Sequence, residues 1–303
     1  MKKVLVTGGA GFIGSHIVDR LLEEGSHVIV VDNESTDSHE TFNWNNDAEN
    51  YLVDINDYET LNPLMKDVDE VFHLAAEARI QPAIQNPILA VTTNVVGTCN
   101  VLQSARENSV KRVVYSSTSS AYGFNDIPSV ETMKKDCLNP YSVSKTAGEE
   151  LCQMYYNLFG LETVTFRYFN VYGERQPTRG QYAPVIGLFQ RQVNDSEPMT
   201  IVGDGMQRRD FTHVSDVVEA NIKAMRTENK DALGEIFNIG TETNYNIHDL
   251  VEMLTPHDPV EGVDYVHIPE RVGEVKESLS DCTKAKKLLE WEAKIKLGDW
   301  VHA

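Results

Sequence analysis

Tyr141 and Lys145 are the residues of this chain whose types and spacing most directly suggest proton transfer. They are four positions apart in a segment, residues 141–159, whose pattern predicts a helix, so both side chains lie on one face. The run Ser116-Ser117-Thr118 ends a predicted strand earlier in the chain. A phenol, an ammonium group and hydroxyls brought together form a candidate set for removing and returning the proton of an alcohol.

This chemistry requires the pKa of Tyr141 to fall from about 10 towards 7, a change worth about 4 kcal/mol. One positive charge about 4 Å away, at an effective dielectric constant of about 20, supplies about that amount. We therefore expect Lys145 to provide most of the shift. The Tyr-x-x-x-Lys spacing is common by chance and also fits an aromatic-cation pair on a surface helix, so its meaning depends on the other motifs.

A glycine-rich turn near the N-terminus predicts a bound dinucleotide. An apolar strand at residues 4–6 is followed by Gly8, Gly11 and Gly14 and then by apolar residues at helical spacing. Gly8 allows the tight turn, Gly11 lets the backbone approach a pyrophosphate, and Gly14 lets the helix pack on the strand. Phe12 and Ile13 lie in the same turn, at the helix end that favours anions.

Asp32 indicates which dinucleotide is bound. It ends a second apolar strand, residues 28–31, where its carboxylate can accept hydrogen bonds from the hydroxyls of an adenosine ribose. The same charge repels a 2′-phosphate, so we expect NAD rather than NADP. The alternative is a glycine-rich turn that binds no ligand. The order of strand, glycine turn and helix, followed by Asp32 at the end of the next strand, argues against it.

The alternation of strands and helices predicts an α/β protein with a doubly wound parallel sheet, the Rossmann architecture. Further strands are predicted at residues 51–54, 71–76, 112–116 and 163–168, and further helices at 58–66, 88–108 and 141–159. From about residue 169 the alternation gives way to loops and short helices. We expect an NAD-binding domain at residues 1–170 plus about 208–238, and a smaller, interleaved second lobe at 171–207 and 239–303.

Composition excludes several classes of partner. The chain has 303 residues and a formal charge of −19, which argues against nucleic acid and anionic membrane surfaces. It has no run of about 18 apolar residues, and the N-terminus runs directly into a strand, so neither a membrane span nor a signal peptide is expected. Four separated cysteines predict free thiols in a cytoplasmic protein. An anionic substrate would need a local cluster of arginines.

Taken together, these motifs resemble those of the extended short-chain dehydrogenases/reductases, and are most similar to the nucleotide-sugar 4-epimerases that act on UDP-galactose and UDP-N-acetylglucosamine. The resemblance covers nearly the whole chain and is carried by residues 7–14, 32–33, 73–76, 94–98, 116–123, 141–145, 167–173 and 209–211.

The resemblance implies roles at the reaction centre. Tyr141 would be the base and acid at the 4-hydroxyl of the sugar, Thr118 would hydrogen-bond the same oxygen, and Lys145 would also grip the nicotinamide ribose. Asp54 and Ile55 would flank the adenine. The full set implied to bind NAD is Gly8, Gly11, Phe12, Ile13, Gly14, Asp32, Asn33, Asp54, Ile55, Leu74, Ala75, Ala76, Asn94, Ser116, Tyr141, Lys145 and Tyr168.

On the substrate side, the resemblance implies that the second lobe binds the nucleotide sugar and that Asn170, Arg209 and Arg271 hold its diphosphate and nucleoside. Any one of these arginines is equally compatible with an ordinary surface ion pair. Ser278 would stand beside the 2-substituent of the sugar, where a small residue leaves room for an N-acetyl group. Arg79 departs from the galactose-specific pattern and keeps UDP-glucuronate 4-epimerisation open as an alternative.

The resemblance also limits the reaction. Relatives that dehydrate or decarboxylate the sugar carry carboxylates directly after the threonine, where this chain has Ser119 and Ser120. Reversible oxidation at C4 remains, with UDP-sugar as substrate and NAD returned unchanged. Another NAD-dependent nucleotide-sugar reductase or dehydratase is the remaining enzymatic alternative. A catalytically silent NAD-binding regulator would be expected to lack the Tyr141, Lys145 and Thr118 set.

Three further expectations concern assembly, metals and the tryptophans. Helices 88–108 and 141–159 pair between subunits in similar proteins, so the resemblance implies a homodimer. His73 lacks partners at metal-ligand spacing, so we expect a structural histidine and no metal site. Trp44, Trp291 and Trp300 are expected to be packing residues.

Overall fold

The computed structural model describes residues 1–36, 41–180, 183–255 and 265–301. Its strands are β1 Lys3–Thr7, β2 His27–Asp32, β3 Glu49–Leu52, β4 Glu70–His73, β5 Arg112–Thr118, β6 Glu162–Tyr168, β7 Val171–Tyr172, β8 Met199–Val202, β9 Arg208–Asp210, β10 Thr212–His213, β11 Ile236–Ile239, β12 Asn244–Asn246 and β13 Tyr265–Ile268. Its helices are α1 Phe12–Glu23, α2 Tyr58–Leu64, α3 Ile80–Gln85, α4 Pro87–Val91, α5 Thr98–Glu107, α6 Pro140–Phe159, α7 Val185–Asn194, α8 Val214–Arg226, α9 Ile247–Leu254, α10 Thr283–Leu289 and α11 Leu297–Val301.

Seven strands form one parallel sheet in the order β11-β6-β5-β4-β1-β2-β3. Thr7, the last residue of β1, lies in register with Val31 on β2 and His73 on β4. The carboxyl ends of the central strands therefore meet at one edge of the sheet, which is where ligands bind in this architecture. The predicted α/β class and doubly wound parallel sheet are confirmed.

Each face of the sheet is covered by helices, because the strands are apolar on both sides. One buried cluster joins the sheet to α1, α8 and α10, and it includes Ile17, Phe237 and Trp291. A second joins the opposite face to α2, α5 and α6. The two layers hold the strand ends in fixed positions, so a side chain at a strand end starts from a rigid base.

The helix predicted over residues 88–108 is interrupted in the structure. It consists of α4 and α5 joined by a wider π-helical turn, Thr92–Gly97. Within this turn the buried Asn94 bonds to the backbone of Glu77 and to the Ser144 hydroxyl, at 2.8 to 3.0 Å. We attribute the wider turn to these contacts, since π-turns commonly occur where a side chain serves another element.

The third strand lies two residues earlier than predicted, at Glu49–Leu52 rather than 51–54. Asp54 explains the difference, because it starts a turn: its carboxylate accepts the Asn56 backbone N–H at 2.8 Å and its carbonyl accepts that of Asp57. An aspartate that bonds the backbone two residues on ends a strand in this way.

Beyond residue 170 a third buried cluster lies apart from the sheet. It joins Tyr172 and α7 to strand β8, helix α9 and Leu297. Strand β11 returns to the main sheet beside β6, as the sequence indicated for the region before Ile239. The exact boundaries of the two domains stay a prediction.

Among the described residues, no helix combines the length and the apolar character needed to cross a membrane. The four cysteines are free thiols, and Cys152 and Cys282 are buried.

Candidate active site

A cavity of about 540 Å³ opens at the carboxyl ends of the parallel strands. This volume is within the usual range for a small-molecule or cofactor site. Most of the predicted site residues line it, namely Gly8, Gly11, Phe12, Ile13, Gly14, Asp32, Asn33, Ile55, Leu74, Ala75, Ala76, Arg79, Ser116, Thr118, Tyr141, Lys145, Tyr168, Asn170, Arg209 and Arg271. The cavity therefore joins the dinucleotide turn to the residues assigned to the sugar and its phosphates.

At one end of the cavity, the turn after β1 is shaped for close backbone approach. Gly8 has a φ of +67°, and a Cβ there would lie 2.6 Å from the Ala75 backbone nitrogen. A Cβ on Gly14 would lie 2.1 Å from the Gly8 carbonyl oxygen. Gly11 caps α1 without a side chain, which keeps the positive end of the helix accessible from the cavity. These features fit a dinucleotide pyrophosphate.

Asp32 lies where an adenosine ribose would be held. Its carboxylate is buried at the end of β2 and accepts backbone N–H groups from Ala10 at 3.1 Å and Glu34 at 2.9 Å. Each carboxylate oxygen retains capacity for a further donor such as a ribose hydroxyl. Burial raises the pKa of Asp32, while these backbone donors lower it. The residues present therefore fit NAD.

Three predicted site residues do not line the cavity: Asp54, Asn94 and Ser278. Asp54 stands behind Asn33 and accepts its side-chain amide at 3.0 Å. Asn94 is fully buried and holds the loop after β4 against α6. Ser278 stands behind Asn170, with 3.4 Å between the Asn170 Nδ2 and the serine hydroxyl. Each contacts a residue or loop that forms the wall.

The start of α6 places Tyr141 in the first helical turn. Asn139 caps the helix by accepting the Ser142 N–H at 2.9 Å, and Pro140 occupies the first helical position. Tyr141 thereby meets the end of β5, where the Thr118 hydroxyl hydrogen-bonds to the phenol. The Thr118 oxygen accepts the Ser120 N–H at 3.1 Å, which orients the hydroxyl. The phenol and hydroxyl assigned to one substrate oxygen are thus brought together.

The expectation that Lys145 lowers the pKa of Tyr141 was wrong. Burial raises the pKa of Tyr141, and the groups that act against burial are Thr118, through its hydrogen bond, and the positive Arg79. Lys145 is only 3% exposed, and burial lowers its own pKa to about 7. Its Nζ lies 4.4 Å from the centre of the Tyr115 ring. With a pKa of about 7, Lys145 carries only part of a full positive charge at neutral pH, and it is not among the groups that lower the pKa of Tyr141.

Behind the reaction centre, an ion pair fixes α6 to the sheet. The Arg167 guanidinium on β6 donates two hydrogen bonds to the Glu149 carboxylate on α6, at 2.8 and 2.7 Å, and both side chains are buried. Ser117 donates to the same carboxylate at 2.7 Å. Glu149 lies one turn after Lys145, so the pair sets the spacing between Lys145 and Thr118. The sequence pattern does not indicate this pair.

Three arginines surround the other end of the cavity. Arg209 and Arg271 approach the same carboxylate, that of Glu274, at 3.7 and 3.9 Å. Burial lowers the pKa of Arg209, and lowers that of Arg79 to about 10. Guanidinium groups that burial penalises in this way gain from an anionic ligand, and a diphosphate suits their donor geometry.

The loop that carries Arg271 is tied to the reaction centre by two amides. Asn139 donates to the Gly273 carbonyl at 3.0 Å, and Gln81 donates to the Val272 carbonyl at 2.9 Å. Neither residue was singled out from the sequence. An asparagine directly before Pro140 is a recognisable helix cap, whereas nothing in the local pattern indicates its bond to a loop 134 residues away.

His73 is a structural residue. Thr7 Oγ1 accepts the backbone N–H groups of Leu74 and Ala75 at 3.2 Å, so its own proton goes to His73 Nδ1 at 2.7 Å. His73 Nε2 then donates to Thr98 at 2.9 Å, which fixes a neutral tautomer. Burial and the nearby Lys145 lower the pKa of His73 to about 3. In the described ranges, no group of three or more His, Cys, Asp or Glu is placed to hold a metal ion.

Residues 4–240 match the NAD dependent epimerase/dehydratase family. A putative UDP-glucose 4-epimerase of Methanocaldococcus jannaschii is 38% identical over 301 residues, which span 98% of this chain and 95% of that protein.

Two solved structures share the fold over nearly all of both chains. The UDP-N-acetylglucosamine 4-epimerase from Methanobrevibacter ruminantium, in complex with UDP-N-acetylmuramic acid, has a TM-score of 0.90 and 31% identity, covering 99% of this chain and 96% of that one. The UDP-glucuronic acid 4-epimerase from Bacillus cereus, in complex with UDP-glucuronic acid and NAD, also has a TM-score of 0.90 and 31% identity, covering 99% and 97%. The extent of these similarities shows that the chain belongs to the NAD-dependent epimerase/dehydratase family of extended short-chain dehydrogenases/reductases and is an NAD-dependent epimerase.

Proposed function

We propose that the protein is a UDP-hexose 4-epimerase that oxidises the sugar transiently at C4 and reduces it again on the opposite face. One observation carries the proposal: a single cavity is lined by the dinucleotide turn, by Tyr141 with Thr118, and by Arg209 and Arg271. The turn binds the cofactor, the phenol and hydroxyl exchange the proton of the sugar alcohol, and the two arginines hold the diphosphate.

The proposed reaction assigns a distinct task to each residue at the reaction centre. Tyr141 takes the proton of the 4-hydroxyl as the C4 hydrogen leaves with its electron pair, and returns that proton when the ketone is reduced. NAD, when held by the glycine turn and Asp32, would supply the hydride acceptor and donor that this exchange requires. Thr118, whose single hydroxyl proton is directed to the phenol before substrate binds, would turn to donate it to the same sugar oxygen. Arg79 and Thr118 both lower the pKa of Tyr141 against the effect of burial. They therefore favour the phenolate, and the phenolate is the form that removes a proton.

Ser119 and Ser120 support epimerisation over dehydration or decarboxylation. Both line the cavity beside Thr118. A serine hydroxyl does not act as a carboxylate acid or base at neutral pH, so the group that those reactions need is missing from these two positions. The oxidised sugar is then left to turn over and be reduced.

For the sugar itself, we propose UDP-N-acetylglucosamine and UDP-N-acetylgalactosamine, with UDP-glucose and UDP-galactose also accepted. Ser278 supports this choice through Asn170, which lines the cavity and whose side-chain amide contacts the serine hydroxyl. A bulky side chain at position 278 would push Asn170 into the cavity, whereas serine leaves space beside the 2-substituent.

UDP-glucuronate is a second candidate substrate, and Arg79 favours it. Its guanidinium lines the cavity and interacts electrostatically with both Tyr141 and Arg271, so it lies between the reaction centre and the diphosphate end. A carboxylate on the hexose would find a positive partner there.

We propose a homodimer in the cytoplasm as the working form. Several apolar side chains of α4, the π-helical turn and α6 are exposed, including Ile88 at 78% and Leu158 at 67%. Such a patch on two adjacent helical segments suits a second copy of the chain. The four free thiols support a reducing compartment. Sedimentation velocity of the wild type and Leu158→Glu checks the dimer, which we expect only in the wild type.

A panel of UDP-sugars tests the proposed function. The purified protein, with its bound nucleotide identified after acid release, is incubated with UDP-GlcNAc, UDP-glucose and UDP-glucuronate without added cofactor. We expect C4 interconversion of UDP-GlcNAc with no net NADH formation. Turnover of UDP-glucuronate alone would replace the preferred sugar with the second candidate, and net consumption of added NADH would replace the epimerase with a reductase.

A further inference from the structure

Asp210 is a buried carboxylate in the wall of the substrate end, next to Arg209, and it is itself absent from the cavity lining. Five hydrogen bonds converge on it. Oδ1 accepts the Thr241 N–H at 2.8 Å and the Thr241 hydroxyl at 2.7 Å. Oδ2 accepts the Ser280 hydroxyl at 2.6 Å, the Ser280 N–H at 3.1 Å and the Glu242 N–H at 3.2 Å.

These donors come from two segments that are distant in the chain and meet around Asp210, where the Glu242 N–H also reaches the Ser280 hydroxyl oxygen at 3.2 Å. Thr241 and Glu242 follow β11, the edge strand of the main sheet. Ser280 belongs to the segment that carries Ser278, whose N–H bonds to the Arg208 carbonyl at 3.0 Å. The Asp210 carbonyl in turn accepts the Asn170 amide at 2.9 Å. The carboxylate therefore joins the sheet edge, the segment of Ser278 and the strand of Arg209.

We propose that Asp210 is a positioning residue for substrate binding: it fixes Arg209 relative to Asn170 and Ser278, and so sets the affinity for the UDP moiety and the choice of sugar without touching the substrate. This inference rests on the proposed function for the identity of the ligand. Arg209 and Asn170 line the cavity. Arg209 precedes Asp210 on β9, and the Asn170 side-chain amide donates to the Asp210 carbonyl, so the position of Asp210 affects both.

The chemistry of the contacts explains why an aspartate is required. All five donors are neutral N–H or O–H groups, so the carboxylate is stabilised by hydrogen bonds alone. An asparagine would turn one acceptor oxygen into an NH2 donor, which would face either the two Thr241 donors or the donors of Ser280 and Glu242. The hydroxyls can turn to accept from this NH2 group, but the backbone N–H of Thr241, or those of Ser280 and Glu242, would lose an acceptor, and this loss weakens the join between the two segments.

The test compares Asp210→Asn with Ser280→Ala and with a matched control, Asp216→Asn, in the full-length protein loaded with NAD. Asp216 is also buried and accepts the N–H groups of Lys294 and Ile295 at 3.0 and 2.9 Å, but it lies on α8 away from the substrate wall. The readouts are the Kd of UDP by calorimetry, KM and kcat for UDP-GlcNAc and UDP-glucose, bound NAD and Tm.

For Asp210→Asn we expect about tenfold weaker UDP binding and a similar rise in KM, with kcat and bound NAD nearly unchanged and an altered UDP-GlcNAc to UDP-glucose preference. Ser280→Ala should show the same pattern more weakly, and it carries the test if Asp210→Asn does not fold. Asp216→Asn should lower Tm without changing the Kd of UDP.

The inference is overturned if the Asp210 and Ser280 variants bind UDP as tightly as the wild type, or if Asp216→Asn weakens UDP binding equally. Failure of the proposed function is a separate result. It would appear as a wild type that binds UDP and turns over none of the sugars, and the UDP titration would still test the role of Asp210.

Discussion

The two ends of the cavity are built in different ways. At the reaction end, Tyr141 is placed by a helix cap that spans four residues, from Asn139 to Ser142, and Thr118 is placed by the end of a strand. At the substrate end, the wall is held by bonds between distant segments, such as Asp210 to Ser280 across 70 residues. At the first end, regular elements carry the side chains and the Glu149–Arg167 pair joins helix to strand, whereas the second end depends on bonds between loops and short strands.

This difference has a functional consequence. A reaction centre built on a parallel sheet and a capped helix keeps its geometry whatever sugar is bound, because each side chain starts from a rigid element. A wall built from loop contacts changes when any one contact changes. Within this fold we therefore expect the chemistry to resist substitution of the wall, and sugar choice and affinity to respond to it.

The largest expected effect separates the two ends. Tyr141→Phe removes the phenolic oxygen that exchanges the proton, so kcat should fall by about a thousandfold, while bound NAD and the Kd of UDP stay unchanged. Stopped assays on UDP-GlcNAc with calorimetric UDP titrations measure both. Tyr122→Phe is the control, since Tyr122 is buried and donates to Asn238 at 2.6 Å outside the cavity. Turnover by Tyr141→Phe at the wild-type rate would contradict the proton-transfer role.

The same contrast explains what the sequence predicted. Patterns within a few residues predict the parallel sheet, the dinucleotide turn and the placement of Asp32, Tyr141 and Thr118. These patterns are short apolar runs typical of strands, glycines at fixed spacing and hydroxyls at a strand end. The structure has each of these where the patterns indicated, with the third strand displaced by two residues.

What the sequence could not predict depends on burial and on long-range bonds. The charge argument for Lys145 assumed a protonated amine, and only the packed structure shows that burial lowers its pKa to about 7. The Glu149–Arg167 pair joins a helix to a strand through side chains whose spacing, 18 residues, carries no local signal. The role of Asp210 depends on Thr241 and Ser280, which only the tertiary fold brings to one carboxylate.

The pKa of Lys145 predicts how stability changes with pH. Between about pH 7 and pH 10.5, an unfolded chain holds a proton on this lysine that the folded protein has released. The free energy of unfolding should therefore rise with pH across this window, by up to about 1.4 kcal/mol per pH unit, and show no contribution from Lys145 below pH 7. Urea titrations of NAD-free protein at pH 7, 8 and 9 measure it.

Lys145→Met isolates this contribution from those of other groups. In the variant, the free energy of unfolding should lack the rise with pH that Lys145 causes. The wild type should therefore become more stable relative to the variant as the pH increases. A constant difference from pH 7 to 9 would show that the lysine keeps its charge when buried. In that case its influence on Tyr141 would have to be reconsidered.

Substitution of Arg209 examines the substrate end directly. Arg209→Met removes a guanidinium from the cavity wall, and losing charged hydrogen bonds to a diphosphate costs about 2 kcal/mol, or about thirtyfold in KM and in the Kd of UDP. We expect kcat to change little. Its neighbour provides the control, because Arg208 bonds to Asn244 at 2.9 Å and does not line the cavity. Equal losses for Arg208→Met would remove the assignment of Arg209 to the phosphates.

Ser278→Tyr gives the smallest and most selective change. The side chain stands behind Asn170 rather than on the cavity wall, so an added ring acts by displacing Asn170. We expect kcat/KM for UDP-GlcNAc to fall about tenfold more than for UDP-glucose, because losing the space for even one small group of a substrate costs about 1 to 3 kcal/mol of transition-state binding. Ser278→Ala keeps the space and should preserve the ratio. An equal fall for both sugars would place the effect on the shared UDP moiety, and position 278 would then set affinity rather than sugar choice.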